Sequence, residues 1–238
     1  MRTSLITKTL ALTVAAAALV SFTAPTAGAA TEPRYITVSS EGTVKVVPDA
    51  VRLNATVTVV AASNKEALAA ASTKATAVRA ALTAAGVAKT DIATQSITTY
   101  PEYSYPQDRT PILTGYRASQ TFVVVLRKTA TAGDVVDAVV AAAGDAIQVN
   151  GVTPFILDPT KATAAARATA VKNAKAKAAS YASLLGVKLG RVNYLSENSA
   201  PANYPVTFSA MAKSDAGATV VDLGQQDVTV SITVQWAL

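Results

Sequence analysis

Side chains able to do chemistry are unevenly represented in this chain of 238 residues, which contains no histidine and no cysteine. Without an imidazole or a thiol, no Ser-His-Asp or Cys-His nucleophile can form. A zinc or copper site of the usual His/Cys kind, His- or Cys-ligated iron and a thiol redox switch are excluded for the same reason. What remains is carboxylate, Lys/Tyr or Ser/Lys chemistry, or no catalysis.

The fifteen carboxylates could supply the two acids that a glycosidase requires. Those nearest to turns and loops are Glu41, Asp49, Glu102 and Asp108. None of them lies in a recognisable catalytic motif, so the sequence favours roles in turns and caps. The acids of the 134–145 segment also lack the spacing of a calcium-binding loop. We therefore predict a protein that is not an enzyme and has no cofactor, no metal and no catalytic residue.

A segment rich in tyrosine and proline is the most unusual part of the sequence. Residues 100–116 hold four of the eight tyrosines and three of the ten prolines, between predicted strands at 92–99 and 117–127. Tyrosines of this kind could cover their own strands, form a subunit interface, or stack on sugars of the cell envelope. The candidate interface or ligand contacts are Tyr100, Tyr103, Tyr105 and Tyr116.

A long basic helix is the second candidate surface. Asp158 and Pro159 are typical of a helix start, and the helix is predicted to end at Gly186. Its apolar stripe is predicted to contain Ala162, Ala166, Ala170, Ala174, Ala178, Tyr181 and Leu185. The candidate basic face, Lys161, Lys172 and Lys175, lies opposite that stripe. This face could contact anionic polymers or lipid headgroups, or it could simply be solvated.

The first residues have the order of a secretory signal peptide. Cations at Arg2 and Lys8 precede an apolar run over 10–20, and Ala27-Gly28-Ala29 supplies a cleavage signal. We predict a signal peptide at 1–29 and one exported domain at 30–238, in the periplasm, the cell envelope or outside the cell. The net charge of +6 is not clustered, so no nucleic-acid partner is predicted, and no later stretch is long enough for a transmembrane helix.

The predicted element order is β-β-α-β-β-α-β-α-β-β. Strict apolar alternation marks strands at 51–59 and 228–236, whereas the helices begin near Ser63, Gly133 and Asp158. Two βαβ-like halves are conceivable, around the helices beginning at Ser63 and Asp158. Residues 198–225 lack periodicity and are predicted to be a mobile loop. The pattern predicts an α+β fold, with two long helices and one shorter helix packed on an antiparallel-type sheet.

Several segments, taken in order, resemble one known family. These are Ile36–Ala50 with the alternating strand after it, Leu113–Ser119, Leu157-Asp158-Pro159 with its Ala/Lys helix, Leu184–Val192, and the last strand, Val228–Trp236. The chain resembles the SIMPL-domain family of bacterial periplasmic or secreted proteins, which includes an oxidative-stress defence protein and a periplasmic immunogen. The resemblance covers residues 35–238.

The resemblance implies an α+β fold and assembly into a ring- or channel-like homo-oligomer. It also implies a role in oxidative or envelope stress tolerance, and it brings no catalytic residues. Because the chain has neither His nor Cys, any such protection must be indirect. The alternative functions are a binding module for envelope polysaccharide or an acidic polymer, and a carboxylate-based hydrolase.

Overall fold

The computed structural model describes residues 34–106, 110–198 and 219–238. Within these ranges the chain forms seven strands and three α-helices in the order β-β-α-β-β-α-β-α-β-β, as the sequence predicts. The elements are β1 (Tyr35–Val46), β2 (Ala50–Ala61), α1 (Asn64–Ala84), β3 (Ile92–Ser104), β4 (Ile112–Leu126), α2 (Ala132–Ala143), β5 (Ile147–Phe155), α3 (Thr160–Leu184), β6 (Val192–Glu197) and β7 (Gln226–Ala237). The predicted α+β class is confirmed.

Local sequence signals explain where the elements begin and end. At the start of α1, the Ser63 hydroxyl accepts from the Glu66 amide, and the Glu66 carboxylate accepts from the Ser63 amide, which completes a capping box. The helix ends before Gly86, whose φ of 83° suits a residue without a Cβ. Two expectations need adjustment, since β1 continues through Glu41 and Gly42, and the Tyr-rich strands extend to Ser104 and from Ile112.

The strands form two antiparallel sheets instead of the single sheet that the sequence predicts. The four-stranded sheet has the order β3-β4-β2-β5. In it β2 and β3 are parallel and joined through α1, and β4 and β5 are parallel and joined through α2. This is the split βαβ arrangement of ferredoxin-like folds. The second βαβ unit therefore contains α2, and the prediction that it contains the helix beginning at Asp158 was wrong.

The four-stranded sheet and the helices α1 and α2 form the first of two lobes. Its core lies between one face of the sheet and the two helices. Its largest fully buried side chains are Phe122, Leu53 and Leu82. The alternation that predicts strand β2 matches its burial. The core-facing residues are Val51, Leu53, Ala55 and Val57, and those that alternate with them, Arg52, Asn54 and Thr56, are more exposed. In α1, Leu68 is exposed, and its neighbour Ala67 is buried.

The second lobe is a three-stranded sheet of order β1-β7-β6, and helix α3 packs on one face. Gly42 of β1 allows this contact, because a Cβ at that position would stand 2.1 Å from the carbonyl oxygen of Ala166 and 2.3 Å from the amide nitrogen of Ala170. The buried stripe of α3 continues through Ala178 to Ala182. The predicted stripe members Tyr181 and Leu185 are exposed.

The two lobes have separate apolar cores and are linked by short connections. Asp49 lies between β1 and β2 and accepts a hydrogen bond of 2.7 Å from the Leu157 amide. The side chain of Gln226, at the start of β7, donates to the Pro154 carbonyl of β5 at 2.7 Å. The first lobe is thus inserted in the sequence of the second, between β1 and α3.

Two predictions fall wholly or partly outside the described residues. The predicted signal peptide, 1–29, lies outside them, as does most of the predicted mobile loop, 198–225. The described end of that loop is in contact with the first lobe: Asp137 of α2 accepts hydrogen bonds from the Thr219 amide and hydroxyl, which lower the pKa of Asp137. Val221 and Leu223 pack against the core of that lobe.

None of the helices in the described ranges is both long enough and apolar enough to span a membrane.

Candidate functional site: a projecting hairpin and a basic helix

The Tyr-rich segment is the tip of a long β-hairpin rather than a long loop. Strand β2 pairs with β4 only as far as Tyr116, so residues 112–115 and 102–104 pair with each other alone. The hairpin therefore extends beyond the rest of its sheet. Because edge strands tolerate proline, Pro101 lies within β3 without ending it. The Tyr/Pro composition that predicts a loop is thus compatible with a strand at a sheet edge.

The four candidate tyrosines do not share one environment. Tyr100, Tyr103 and Tyr105 are exposed, Tyr105 to 75%. Tyr116 is half-buried and packs against a small apolar cluster under the start of α1, which gives it a structural contact. Exposed Ile97, Ile112 and Leu113 complete the surface, which we call the hairpin surface: Ile97, Tyr100, Tyr103, Tyr105, Ile112 and Leu113. Sequence reasoning missed its three aliphatic members. Ile97 stands between polar residues of a predicted strand, whereas Ile112 and Leu113 are adjacent in the Tyr/Pro-rich segment.

An ion pair lies on the hairpin beside Tyr100. The Arg117 guanidinium of β4 bonds the Glu102 carboxylate of β3, and both side chains are about one-third exposed. The second carboxylate oxygen of Glu102 is buried without a hydrogen-bond partner. The Thr114 hydroxyl donates to the Glu102 carbonyl at 2.9 Å. These contacts join the two strands of the hairpin where no third strand supports them.

Strand β3 lies at an edge of its sheet, and side chains cover little of its backbone in the described residues, in contrast to the other long edge strand, β1. The Asn173 amide and the Lys177 ammonium of α3 donate to the carbonyls of Glu41 and Ser39, which covers part of the β1 edge. Within the described residues, only Thr114 of its own partner strand bonds a backbone group of β3 from a side chain. The bulge at Gln95 and the missing amide of Pro101 interrupt this edge, so its continuous template for another strand is residues 96–100.

The sheet faces opposite the helices carry paired hydroxyl groups, a feature that sequence reasoning missed. Hydrogen bonds join Thr43 to Thr229 at 3.0 Å in one sheet and Thr56 to Thr121 at 3.1 Å in the other. Further pairs are Ser39–Thr233 and Thr58–Ser119. The alternation of Thr and Ser with apolar residues in the strands was the sequence signal that could have indicated these hydroxyl pairs. These hydroxyl pairs make the faces of both sheets opposite the helices partly polar.

The basic helix presents its lysines to solvent as predicted. Lys161, Lys172 and Lys175 are exposed on α3, and no described carboxylate lies within ion-pair distance of any of them. Arg167 is different, because its guanidinium makes two hydrogen bonds with Glu197 of β6 at 2.7 and 3.0 Å. That hydrogen-bonded guanidinium lowers the pKa of Glu197. The helix is thereby tied to β6 at one side of its sheet and to β1 at the other.

The Arg167–Glu197 pair predicts a pH-dependent contribution to stability. Because the pKa of Glu197 is lower in the folded state, its ionised form stabilises the fold above the ordinary glutamate pKa, and this contribution disappears as the pH falls through the lowered value. We expect Glu197→Gln to lower Tm modestly at pH 7 and to have a smaller effect at about pH 3, which is below the ordinary glutamate pKa. Arg167→Gln should give the same pattern in thermal melts; a Tm difference that is equal at both pH values would contradict this interpretation.

Several of the described carboxylates are paired with arginines. Asp91 bonds Arg127 in two hydrogen bonds of 2.7 and 2.8 Å, and this guanidinium lowers the pKa of Asp91. Glu102 and Glu197 are in the arginine pairs already described. In the described part of the chain, no group of three or more acidic side chains could hold a metal ion. The arrangement provides ion pairs and caps, and it gives the hydrolase alternative no support.

Together, the fold and its surfaces define a class: a two-lobed α+β protein whose exposed features are a sheet edge with an aromatic hairpin and a basic helix. The family model of SIMPL, described as "Protein of unknown function (DUF541)", matches residues 36–236. The chain belongs to the SIMPL family. It is also similar to the 26 kDa periplasmic immunogenic proteins of Brucella melitensis biotype 1 and Brucella abortus strain S19, at 36% identity over 179 residues in each comparison. Each match covers 72% of this chain and 69% of the relative.

Proposed function

We propose that this chain is an exported, non-enzymatic protein of the cell envelope that self-assembles through strand β3 and the hairpin surface. The observation that carries the proposal is the edge of β3 over residues 96–100, whose backbone no side chain bonds in the described residues, beside exposed Tyr100, Tyr103 and Tyr105. Edge strands pair readily with strands of other chains, and tyrosine is enriched at protein interfaces. Pairing of edges would satisfy the free backbone groups, while the aromatic side chains would bury apolar area.

The names of the relatives support the proposed location. Both Brucella proteins are named periplasmic, and the first 29 residues of this chain have the composition of a secretory signal peptide. A role in oxidative or envelope stress tolerance would then follow indirectly, from the assembled protein in the envelope. Direct thiol chemistry and a His-ligated metal are excluded by the composition.

Charged substitutions at the hairpin surface test the assembly. We expect the wild-type protein, purified from the exported fraction, to run as a homo-oligomer in light scattering coupled to size exclusion. A double variant, Ile97→Lys with Tyr103→Lys, places two cations on exposed positions of β3, so the fold should persist while edge pairing is lost. We expect it to run as a monomer, with association weakened at least a hundredfold.

A matched control adds the same charge elsewhere on the same lobe. Leu68 of α1 and Val140 of α2 are exposed apolar residues, and Leu68→Lys with Val140→Lys should leave the oligomer intact. A wild-type protein that is monomeric at high micromolar concentration would overturn the proposal. An equal loss of assembly in the control would show that charge, and not the β3 edge, controls association.

The alternative of a binding module for envelope polysaccharide or an acidic polymer is favoured by a different observation. Lys161, Lys172 and Lys175 are exposed, and no described carboxylate pairs with them. A cationic face of this kind attracts polyanions over a distance set by the ionic strength. A protein that remains monomeric and still sediments with isolated cell wall in a salt-sensitive manner would favour this alternative over self-assembly.

A further inference from the structure

At one end of the second lobe, chain segments that are distant in the sequence lie close together. There the Leu238 amide donates to the Arg34 carbonyl at 3.0 Å, and the Ala237 amide donates to the Arg191 carbonyl at 2.9 Å. Helix α3 runs antiparallel to β1 and ends near the start of that strand. Gly42 of β1 contacts the first half of α3, whereas the carbonyl of Ser39, which is nearer the start of β1, accepts a hydrogen bond from Lys177 in the second half of α3. The start of β1, the end of β7, the start of β6 and the last turn of α3 therefore lie together.

This end exposes large apolar side chains that the fold leaves uncovered. Leu184 and Leu185, in the last turn of α3, are 80% and 64% exposed. The other members lie on β1, on β6 and on the last turn of the helix. We call these residues the lobe-end patch: Tyr35, Tyr181, Leu184, Leu185, Val192, Tyr194 and Leu195. Beneath it, Trp236 is almost wholly buried, so the patch is additional to the apolar core.

In the described part of the chain, the charged side chains around the patch all have one sign. Arg34, Lys177, Lys188 and Arg191 are exposed there. No acidic residue occurs from 159 to 196, from 34 to 40 or from 228 to 238. The nearest acid along β6 is Glu197, which Arg167 already neutralises. The end of the lobe thus has an apolar tip that carries tyrosines, and cationic side chains surround this tip.

We propose that this end binds the surface of an anionic lipid bilayer. Exposed leucines can enter the boundary between headgroups and acyl chains, and tyrosine rings occupy the headgroup level. Lysine and arginine near the surface add attraction to anionic lipids and can extend their charged ends to the headgroups. An anionic membrane surface therefore matches both the apolar tip and its cationic surroundings, and it requires no change in the fold.

Two other occupants fit less well. A second copy of the chain, docked through the same patch by a two-fold axis, would bring Arg34, Lys188 and Arg191 of both copies together without an acid to offset them. A hydrophilic polyanion would satisfy the cations but would leave Leu184 and Leu185 in water. The self-assembly proposed for β3 uses the other lobe, so membrane binding and assembly can be tested separately.

Co-sedimentation with lipid vesicles tests the membrane contact. We expect the exported protein to sediment with vesicles made of equal parts phosphatidylcholine and phosphatidylglycerol, and to remain in solution with phosphatidylcholine alone. Leu184→Ser with Leu185→Ser should weaken binding at least tenfold. Lys188→Gln with Arg191→Gln should weaken it roughly thirtyfold, because each cation near an anionic surface contributes about a fivefold change in affinity. Both pairs are exposed, so circular dichroism should show an unchanged fold.

A charge-matched control separates a specific site from general attraction. Lys65 and Lys74 are exposed on α1 of the other lobe, and Lys65→Gln with Lys74→Gln should reduce binding less than threefold. The proposal is wrong if the wild-type protein does not sediment with the anionic vesicles, or if this control loses as much binding as the lobe-end variant. It is also wrong if the Leu184/Leu185 variant binds normally, which would indicate a purely electrostatic contact with any polyanion.

Discussion

A Gly42→Ala variant is expected to lose about 3 kcal/mol or more of stability, because its new methyl group has no room. The Cβ would stand 2.1 Å from the Ala166 carbonyl oxygen and 2.3 Å from the Ala170 amide nitrogen, inside any permitted contact distance. Both atoms belong to the backbone of α3, so no side-chain rotation can relieve the overlap. The helix must move away from β1, and the buried alanine stripe must separate from the sheet.

Thermal unfolding measures this loss. For a chain of this size, 3 kcal/mol corresponds to a decrease in Tm of about 10 °C. Gly151→Ala is the matched control, because a Cβ at that position of β5 meets no atom within 4 Å and the backbone there is not left-handed. That variant should be neutral or slightly more stable, since alanine restricts the unfolded chain. Equal effects of the two substitutions would show that the close approach of α3 to β1 is not the cause.

Local patterns were sufficient for the element order, whereas the pairing of the strands was not accessible from them. Apolar alternation at 51–59 reports which residues of a strand are buried, and the Ser63/Glu66 capping box acts within one helical turn. By contrast, Tyr35 pairs with Ala237 and Val46 with Gln226. Pairing between residues so far apart in the sequence depends on the topology of the whole chain. The division of the strands into two sheets could therefore be seen only in the structure.

The site was predicted in part, and the missed features have physical reasons. The exposed tyrosines and lysines could be identified from composition, but the strand character of the hairpin was obscured by its prolines. In α3 the buried residues continue at four-residue spacing from Ala178 to Ala182, so the stripe rotates around the helix away from Tyr181. That rotation is what leaves Tyr181 and Leu185 exposed at the lobe end.

Truncation of Phe122 is expected to be the most destabilising core substitution in the first lobe. Phe122 lies on the central strand β4, is fully buried, and has the Arg79 guanidinium 4.9 Å from its ring centroid. Phe122→Ala leaves a large cavity among packed side chains and should cost about 3–5 kcal/mol. Tyr103→Ala removes an exposed aromatic group from the paired strand β3 and should change stability by less than about 0.5 kcal/mol. Denaturant titration of the two variants gives the comparison.

Hydrogen exchange of Phe122→Ala and Gly42→Ala should further show whether the two lobes open as separate units. Their apolar cores share no buried residue. They are linked by hydrogen bonds from the Leu157 amide to Asp49 and from Gln226 to Pro154, and by residues 219–223 before β7, which contact the first lobe. Regions with separate cores open with separate free energies. We therefore expect Phe122→Ala to accelerate exchange mainly in 50–155, and Gly42→Ala to accelerate it mainly in β1, α3 and β7. Uniform acceleration throughout both lobes in either variant would instead establish one cooperative unit, in which the hairpin edge and the lobe-end patch are coupled through the fold.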